Sequence, residues 1–248
     1  YLTEPMAIND SGKAVGRNID IPILWDSASN TMSALQFHLG LYDDFYGQSG
    51  SPSTNFFRRG VAVDINNNGT ILMNSSADTL EQTRGFVIQP PATYIDLVPG
   101  STVDTQGKRT FKSLTKAIDI NNKGEVVLTR EDQVGIYAYY WDGISTELLG
   151  GVSDSQNNPL PDVISPSYRR LYAVIGQSGC EAVAINERSQ AIANCGTIPT
   201  FSDFGVPGTP FAILNTLPGA SEAKANAMND KGFVVGSSGG QAFFWDGG

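Results

Sequence analysis

The chain has 248 residues, enough for one large β domain or two smaller ones, and a formal net charge of −9. That charge argues against a phosphate-binding face, so neither a nucleic-acid partner nor an anionic membrane surface is expected. No apolar run approaches the ~20 residues of a spanning helix, so no membrane insertion is expected either.

The first element is a hairpin phrase, Ala7-Ile8-Asn9-Asp10-Ser11-Gly12-Lys13-Ala14-Val15-Gly16. An apolar run ends at an Asn, two polar residues turn, a Gly follows, and a second apolar run leaves. Asn can bond the backbone two residues on, and Gly tolerates the positive φ or close approach that such turns need. The phrase returns around Asn66, Asn121, Asn186 and Asn229. An aromatic phrase follows each hairpin: Pro22-Ile23-Leu24-Trp25-Asp26, Gly85-Phe86-Val87-Ile88, Tyr137 to Gly143, Phe211-Ala212-Ile213-Leu214 and Gln241 to Gly247. A Leu-Gly phrase precedes most of them: Phe37-His38-Leu39-Gly40, Asp96 to Gly100, Glu147-Leu148-Leu149-Gly150 and Thr216-Leu217-Pro218-Gly219.

Each unit thus offers four short apolar strands: the Leu-Gly strand, the two hairpin strands and the aromatic strand. No stretch carries a helical stripe. Four-stranded units at this period predict an all-β fold, a β-propeller of five blades with about four antiparallel strands each, because a single unit cannot cover its own two faces. The whole chain, 1–248, is read as one propeller domain, with units at about 1–27, 28–90, 91–143, 144–214 and 215–248. The end at an aromatic strand and the start at a Leu-Gly remnant are in phase, which suits a complete ring. A start at Tyr1 suits a processed, secreted chain.

The residues exclude much chemistry. His38 is the single histidine, and no C-x-x-C or H-E-x-x-H motif occurs. Asp64-x-Asn66-x-Asn68-Gly69 matches the front half of a calcium loop, but its twelfth position is Ser75 and the next repeat carries Lys123 inside the loop. Hairpin turns explain these letters, so no metal and no cofactor are expected. No catalytic residue is assigned: the acids near the turns are explained by structure, and nothing shows that Asp43, Asp44 or Asp162 converge as a hydrolytic pair would.

Three long connections, 41–60, 101–116 and 151–179, all lie between a Leu-Gly strand and a hairpin, so they should emerge on one face. They carry a recurring basic-aromatic pattern. Arg58 and Arg59 follow Phe56 and Phe57, Lys108, Arg109 and Lys112 flank Phe111, and Arg169 and Arg170 follow Tyr168. Upstream stand Tyr42, Asp43, Asp44 and Tyr46. Arg and aromatic side chains are enriched where partners bind. The candidate binding residues are therefore Tyr42, Asp43, Asp44, Tyr46, Arg58, Arg59, Tyr168, Arg169 and Arg170. The competing reading is internal pairing of these Arg with Asp43 and Asp44.

The two cysteines, Cys180 and Cys195, flank the fourth hairpin. Counted outward from the centre of the turn Asn186–Ser189, they face each other directly, so a disulfide is predicted. In the other copies a Gly bulge would slip the register by one residue. Ser189 in place of Gly is read as a turn without that bulge, chosen to keep the sulfurs in register. A disulfide implies an oxidising compartment.

The phrases A-x-x-I-N-x-x-G-x-V-V-G, A-F-x-W-D-G and L-G, in that cyclic order, resemble the HAF-repeat family of bacterial extracellular proteins. The best copy is Ala227–Gly236 followed by Ala242–Gly247. The fourth departs most, with Ser189 for Gly and Asn194-Cys195 where Val-Gly is usual. The resemblance implies a secreted or cell-surface, propeller-like protein. It brings no catalytic residues. The expected function is a non-catalytic binding or matrix module whose long loops contact a glycan or protein, with self-association as a further option. The alternatives are a propeller glycoside hydrolase acting on polysaccharide and a structural subunit of an extracellular assembly.

Overall fold

The computed structural model describes residues 3–35, 60–76, 83–89, 93–97, 102–103, 109–110, 114–131, 135–148, 164–170, 179–206 and 212–247. These residues are all β, with no helix among them. The first sheet holds β1 (Thr3–Ile8), β2 (Lys13–Asn18), β3 (Ile21–Asp26) and β4 (Thr31–Ala34). The second holds β5 (Gly60–Ile65), β6 (Ile71–Ser76), β7 (Thr83–Gln89) and β8 (Thr93–Asp96), and a two-residue pair follows, β9 (Thr102–Val103) with β10 (Arg109–Thr110). The third holds β11 (Leu114–Ile120), β12 (Val126–Glu131), β13 (Ile136–Leu148) and β14 (Ile164–Arg170). The fourth holds β15 (Cys180–Ile185), β16 (Gln190–Cys195), β17 (Ile198–Asp203) and β18 (Ala212–Ile213), and the fifth β19 (Ala223–Met228), β20 (Val234–Ser238) and β21 (Gln241–Trp245). In each sheet the strands pair in chain order. The chain divides into two compact units, Tyr1–Ala117 with Ser145–Ser167, and Ile118–Ile144 with Tyr168–Gly248.

Three strand assignments differ from the sequence reading. The fourth strand pairs with the preceding sheet and lies before the Leu-Gly phrase, at Thr31–Ala34 and Thr93–Asp96, or just past the third strand at Ala212–Ile213. In the fourth sheet the third strand is Ile198–Asp203, so the phrase Phe211–Leu214 supplies the fourth strand rather than the third. In the third sheet Glu147-Leu148 is the tail of the long β13, and β14 lies inside the segment 151–179 that was read as a connection. Pairing, not local composition, decides these cases: a four-residue strand with an exposed face carries little periodicity to read.

The five asparagine turns are one structure repeated. Each Asn side-chain oxygen accepts the backbone N–H four residues on: Lys13, Thr70, Glu125, Gln190 and Phe233, at 2.9–3.0 Å. In the last four copies it also accepts the N–H two residues on, and in the first it accepts the Ser11 hydroxyl. The fourth turn residue is left-handed in every copy: Gly12, Gly69, Gly124, Ser189 and Gly232 have φ of 75°, 80°, 83°, 64° and 84°. Ser189 therefore makes the same turn as the glycines, and the expected unbulged turn does not occur.

A second irregularity cancels the first. In the hairpins of the first, second, fourth and fifth sheets the register shifts once more, at Met6, Val63, Val183 and Asn226, each three residues before the Asn. In the fourth sheet Ile185 pairs with Ala191 and Ala184 with Ile192; beyond Val183, Ala182 pairs with Ala193 and Cys180 with Cys195. The extra residue of the turn is matched by an extra residue in the strand, so the cysteines face each other as predicted, for a different reason. They form a disulfide, with Cα atoms 4.0 Å apart.

Sheets stack in a fixed direction. In the first unit, Ala7, Val15 and Leu24 of the first sheet pack on Ile65, Ile71 and Ile88 of the second. In the second unit, Val127, Ala138 and Tyr140 of the third sheet pack on Ile185, Ala191, Ala193 and the disulfide of the fourth. Ile192 and Phe201 of the fourth in turn pack on Met228, Val234 and Trp245 of the fifth. Ala7 and Ala184, two residues before their Asn, thus lie on a face that meets the next sheet, and Ile65, Ile185 and Met228, one residue before it, on a face that meets the previous one.

Candidate functional site

Tyr42, Asp43, Asp44, Tyr46, Arg58 and Arg59 lie outside the described residues. The backbone of Tyr168, Arg169 and Arg170 forms the end of β14. Arg109 opens the short β10, paired with Val103 of β9.

What the described residues do build is a set of polar contacts from each repeat to the next. The side-chain amide of Asn9 donates to the Asn66 carbonyl at 3.0 Å, that of Asn121 to the Asn186 carbonyl at 3.0 Å, and that of Asn186 to the Asn229 carbonyl at 3.1 Å. The residue after each of these asparagines repeats the step. The Asp10, Asn122 and Glu187 N–H groups donate to the side chains of Asn67, Glu187 and Asp230. Eight residues past the Asn a second clamp forms. Asn74 accepts the Ala117 N–H and donates to the Ala117 carbonyl, both at 2.8 Å, and Asn194 does the same to Ala225 at 2.9 and 3.0 Å. Thr129 stands at this position in the third repeat and accepts the Ala182 N–H at 2.9 Å.

One sequence reading changes accordingly. By position from the turn, Ile192-Ala193 and not Asn194-Cys195 occupy the place of Val235-Gly236 in the fifth repeat. The fourth copy keeps its apolar residue there, and Asn194 is the clamp. The acids near the turns also have structural tasks. Asp64 accepts its neighbour's N–H from Ile65, and Asp119 accepts those of Ile120 and, at 2.9 Å, of Ile185 in the next repeat. The Asn66 oxygen of the calcium-like phrase is occupied by the N–H groups of Asn68 and Thr70. Among the described residues no cluster of three metal-ligating side chains occurs.

One buried cluster was not anticipated. Glu125 is buried between the third and fourth hairpins. Its Oε1 accepts the hydroxyls of Tyr140 and Ser189, each at 2.9 Å, and its Oε2 accepts the Asn121 side chain. Lys123 Nζ donates to Ser189 Oγ at 2.8 Å. Buried polar oxygens such as these need hydrogen-bond donors to offset the loss of water. Ser189 thereby ties two hairpins together, and its departure from Gly was the sequence signal for it. The Ser, Lys and Glu of this cluster are each engaged in holding the hairpins, so it is read as a brace.

With this geometry in view, no family model, no curated protein and no solved structure matches the chain.

Proposed function

We propose that the chain is a non-catalytic binding module of a secreted or cell-surface protein of the HAF-repeat kind. Its five sheets are β-propeller blades, and it holds a glycan or protein partner on the blade edge opposite the asparagine turns. Topology supports the reading. β4 starts beside the turn, with Thr31 opposite Asp26, and ends away from it, with Ala34 opposite Ile23. β5 starts at the far edge, with Gly60 opposite Ser75, and runs to Asn66. Arg58 and Arg59 immediately precede Gly60, and Tyr42 to Tyr46 lie in the same connection. β8 likewise ends away from its turn, and β11 starts away from Asn121. In the antiparallel third sheet β14 runs away from Asn121, so its last residues, Tyr168, Arg169 and Arg170, end at the edge of their own sheet opposite its turn.

The blade reading is supported by the directional stacking and by the clamps that recur at fixed positions from the Asn. The extracellular reading is supported by the Cys180–Cys195 disulfide, which persists in oxidising surroundings. The test is a glycan array, with bacterial surface polysaccharides included, run on the native chain and on the quadruple variant Arg58→Ala, Arg59→Ala, Arg169→Ala, Arg170→Ala. Binding by the native chain that falls roughly tenfold or more in the variant is the expected result. Binding unchanged by the four substitutions overturns the assignment of the edge.

A further inference from the structure

The second asparagine turn carries a reactive pair that the other four lack. Asn68-Gly69 is the only Asn-Gly pair in the chain. At the place of Asn68 the other copies carry Ser11, Lys123, Arg188 and Lys231. An Asn followed by Gly can lose its amide without an enzyme, because the glycine has no side chain to shield the backbone nitrogen that attacks. Asn68 is exposed, so water and hydroxide reach it.

The fold withholds the attacking atom. The Gly69 N–H donates to the Asn66 carbonyl at 3.0 Å, and Gly69 holds a φ of 80°. The nitrogen must give up that proton, and turn toward Asn68 Cγ, before it can attack. Both steps need the turn to open. The first repeat opposes the opening. The Asn9 amide donates to the same Asn66 carbonyl at 3.0 Å. Beside it the Asn67 amide donates to Asp10 Oδ2 at 2.6 Å, and the Asp10 N–H donates back to Asn67 Oδ1 at 2.9 Å. The first turn thus grips the two residues directly before the reactive pair.

We propose that Asn68 is a self-modifying site, guarded by the turn of the first repeat and converted to aspartate or isoaspartate when that contact opens. The Gly69 nitrogen then loses its proton to hydroxide and bonds to Asn68 Cγ. The side-chain nitrogen leaves Cγ as ammonia, and a five-membered cyclic imide remains. Water adds to one of the two imide carbonyls. Addition at Cγ breaks the new bond and leaves an aspartate in the original chain. Addition at the main-chain carbonyl breaks the original peptide bond and leaves an isoaspartate, with the chain running through Cβ and Cγ. Water enters and ammonia departs, and nothing is oxidised or reduced. Isoaspartate inserts an extra main-chain carbon between the Asn66 carbonyl and the Gly69 nitrogen, so the ring that their hydrogen bond closes no longer fits. The second turn loses the form that Asn9 and Asp10 hold. The conversion runs one way, so it permanently marks a chain in which these two turns have parted. It does not depend on what the long connections bind.

The test is mass spectrometry of peptides from the full, disulfide-intact chain, kept in mildly alkaline buffer and sampled over weeks. The chain is kept folded, and separately unfolded in guanidinium chloride, as the native protein and as Asp10→Ala. Asp10 is exposed and stands 57 residues from Asn67, so once the chain is unfolded the substitution does not reach Asn68. Circular dichroism checks that the folded variant keeps its strands. In the unfolded chain Asn68 is expected to exchange its NH2 for OH faster than any other asparagine. In the folded native chain the same site is expected to convert roughly tenfold or more slowly. Folded Asp10→Ala is expected to convert roughly twofold or more faster than the folded native chain, and at the native rate when unfolded. The isoaspartate form, separated by ion exchange, is expected to unfold at a lower denaturant concentration than Asn68→Asp, which carries the same charge on an unaltered backbone. A folded chain that converts as fast as the unfolded one overturns the guard, and one that never converts at Asn68 overturns the site. Equal rates in the folded native chain and folded Asp10→Ala overturn the role of the first repeat. An isoaspartate form as stable as Asn68→Asp overturns the loosening of the two turns.

Discussion

Asn186 and Asn229 make the same turn but differ in one respect, and that difference can be weighed. Both side-chain oxygens accept the N–H groups two and four residues on. Asn186 is buried, and its amide donates to Gln190 Oε1 at 2.9 Å and to the Asn229 carbonyl at 3.1 Å. Asn229 is exposed and donates to neither kind of partner. Replacing Asn by Asp keeps the accepting oxygen and deletes only the donor. At Asn186 the change removes two hydrogen bonds worth about 1 kcal/mol each and turns a buried carboxylate toward two oxygens. A destabilisation of about 3 kcal/mol or more follows. At Asn229 the same change costs less than about 0.5 kcal/mol, as at an ordinary surface position. Urea unfolding of Asn186→Asp and Asn229→Asp, at protein concentrations dilute enough to exclude association, measures both against the native chain. Equal losses at the two positions would refute the reasoning, since the turn alone would then account for the asparagines.

Two further outcomes follow from the fourth hairpin. Replacing Cys180 and Cys195 together by Ala should cost on the order of 3 kcal/mol for a closed loop of this length, and alkylation of the native chain without reductant should add no mass; two alkylated thiols would remove the bridge and the argument for an oxidising compartment with it. Ser189→Gly relieves a left-handed non-glycine residue but deletes the hydroxyl between Glu125 and Lys123, so a double-mutant cycle with Glu125→Gln should return a coupling of about 1 kcal/mol or more. A coupling near zero would mean that the hydroxyl does not brace the carboxylate.

The hairpins were legible because their determinants are local: an Asn that accepts two N–H groups and a fourth residue with positive φ lie within five letters. The fourth strands were not. Thr31–Ala34 is exposed along its length and Ala212–Ile213 is two residues long, so each is fixed by the strand beside it rather than by its own pattern. The disulfide was anticipated through a count that omitted two shifts which cancel. Met6, Val63, Val183 and Asn226 are not of one residue type, so no single letter announces the second shift. The Asn194 clamp was visible only as a mismatch, because its meaning lies in the Ala225 backbone, 31 residues away. For the binding residues the sequence remains the guide: six of the nine lie outside the described residues and the other three are described by backbone alone.

The clamps between repeats address main-chain atoms. Asn9, Asn121 and Asn186 reach a carbonyl, while Asn74 and Asn194 hold both the N–H and the carbonyl of an alanine. A carbonyl is the same whichever side chain its residue bears. A repeat can therefore exchange most of its letters, or gain a long insertion between its fourth strand and the next hairpin, without losing the address its neighbour reads. Copies freed in this way can drift apart in sequence while remaining interchangeable in assembly. A hairpin transplanted from one position in the array to another should still be recognised by whatever precedes it.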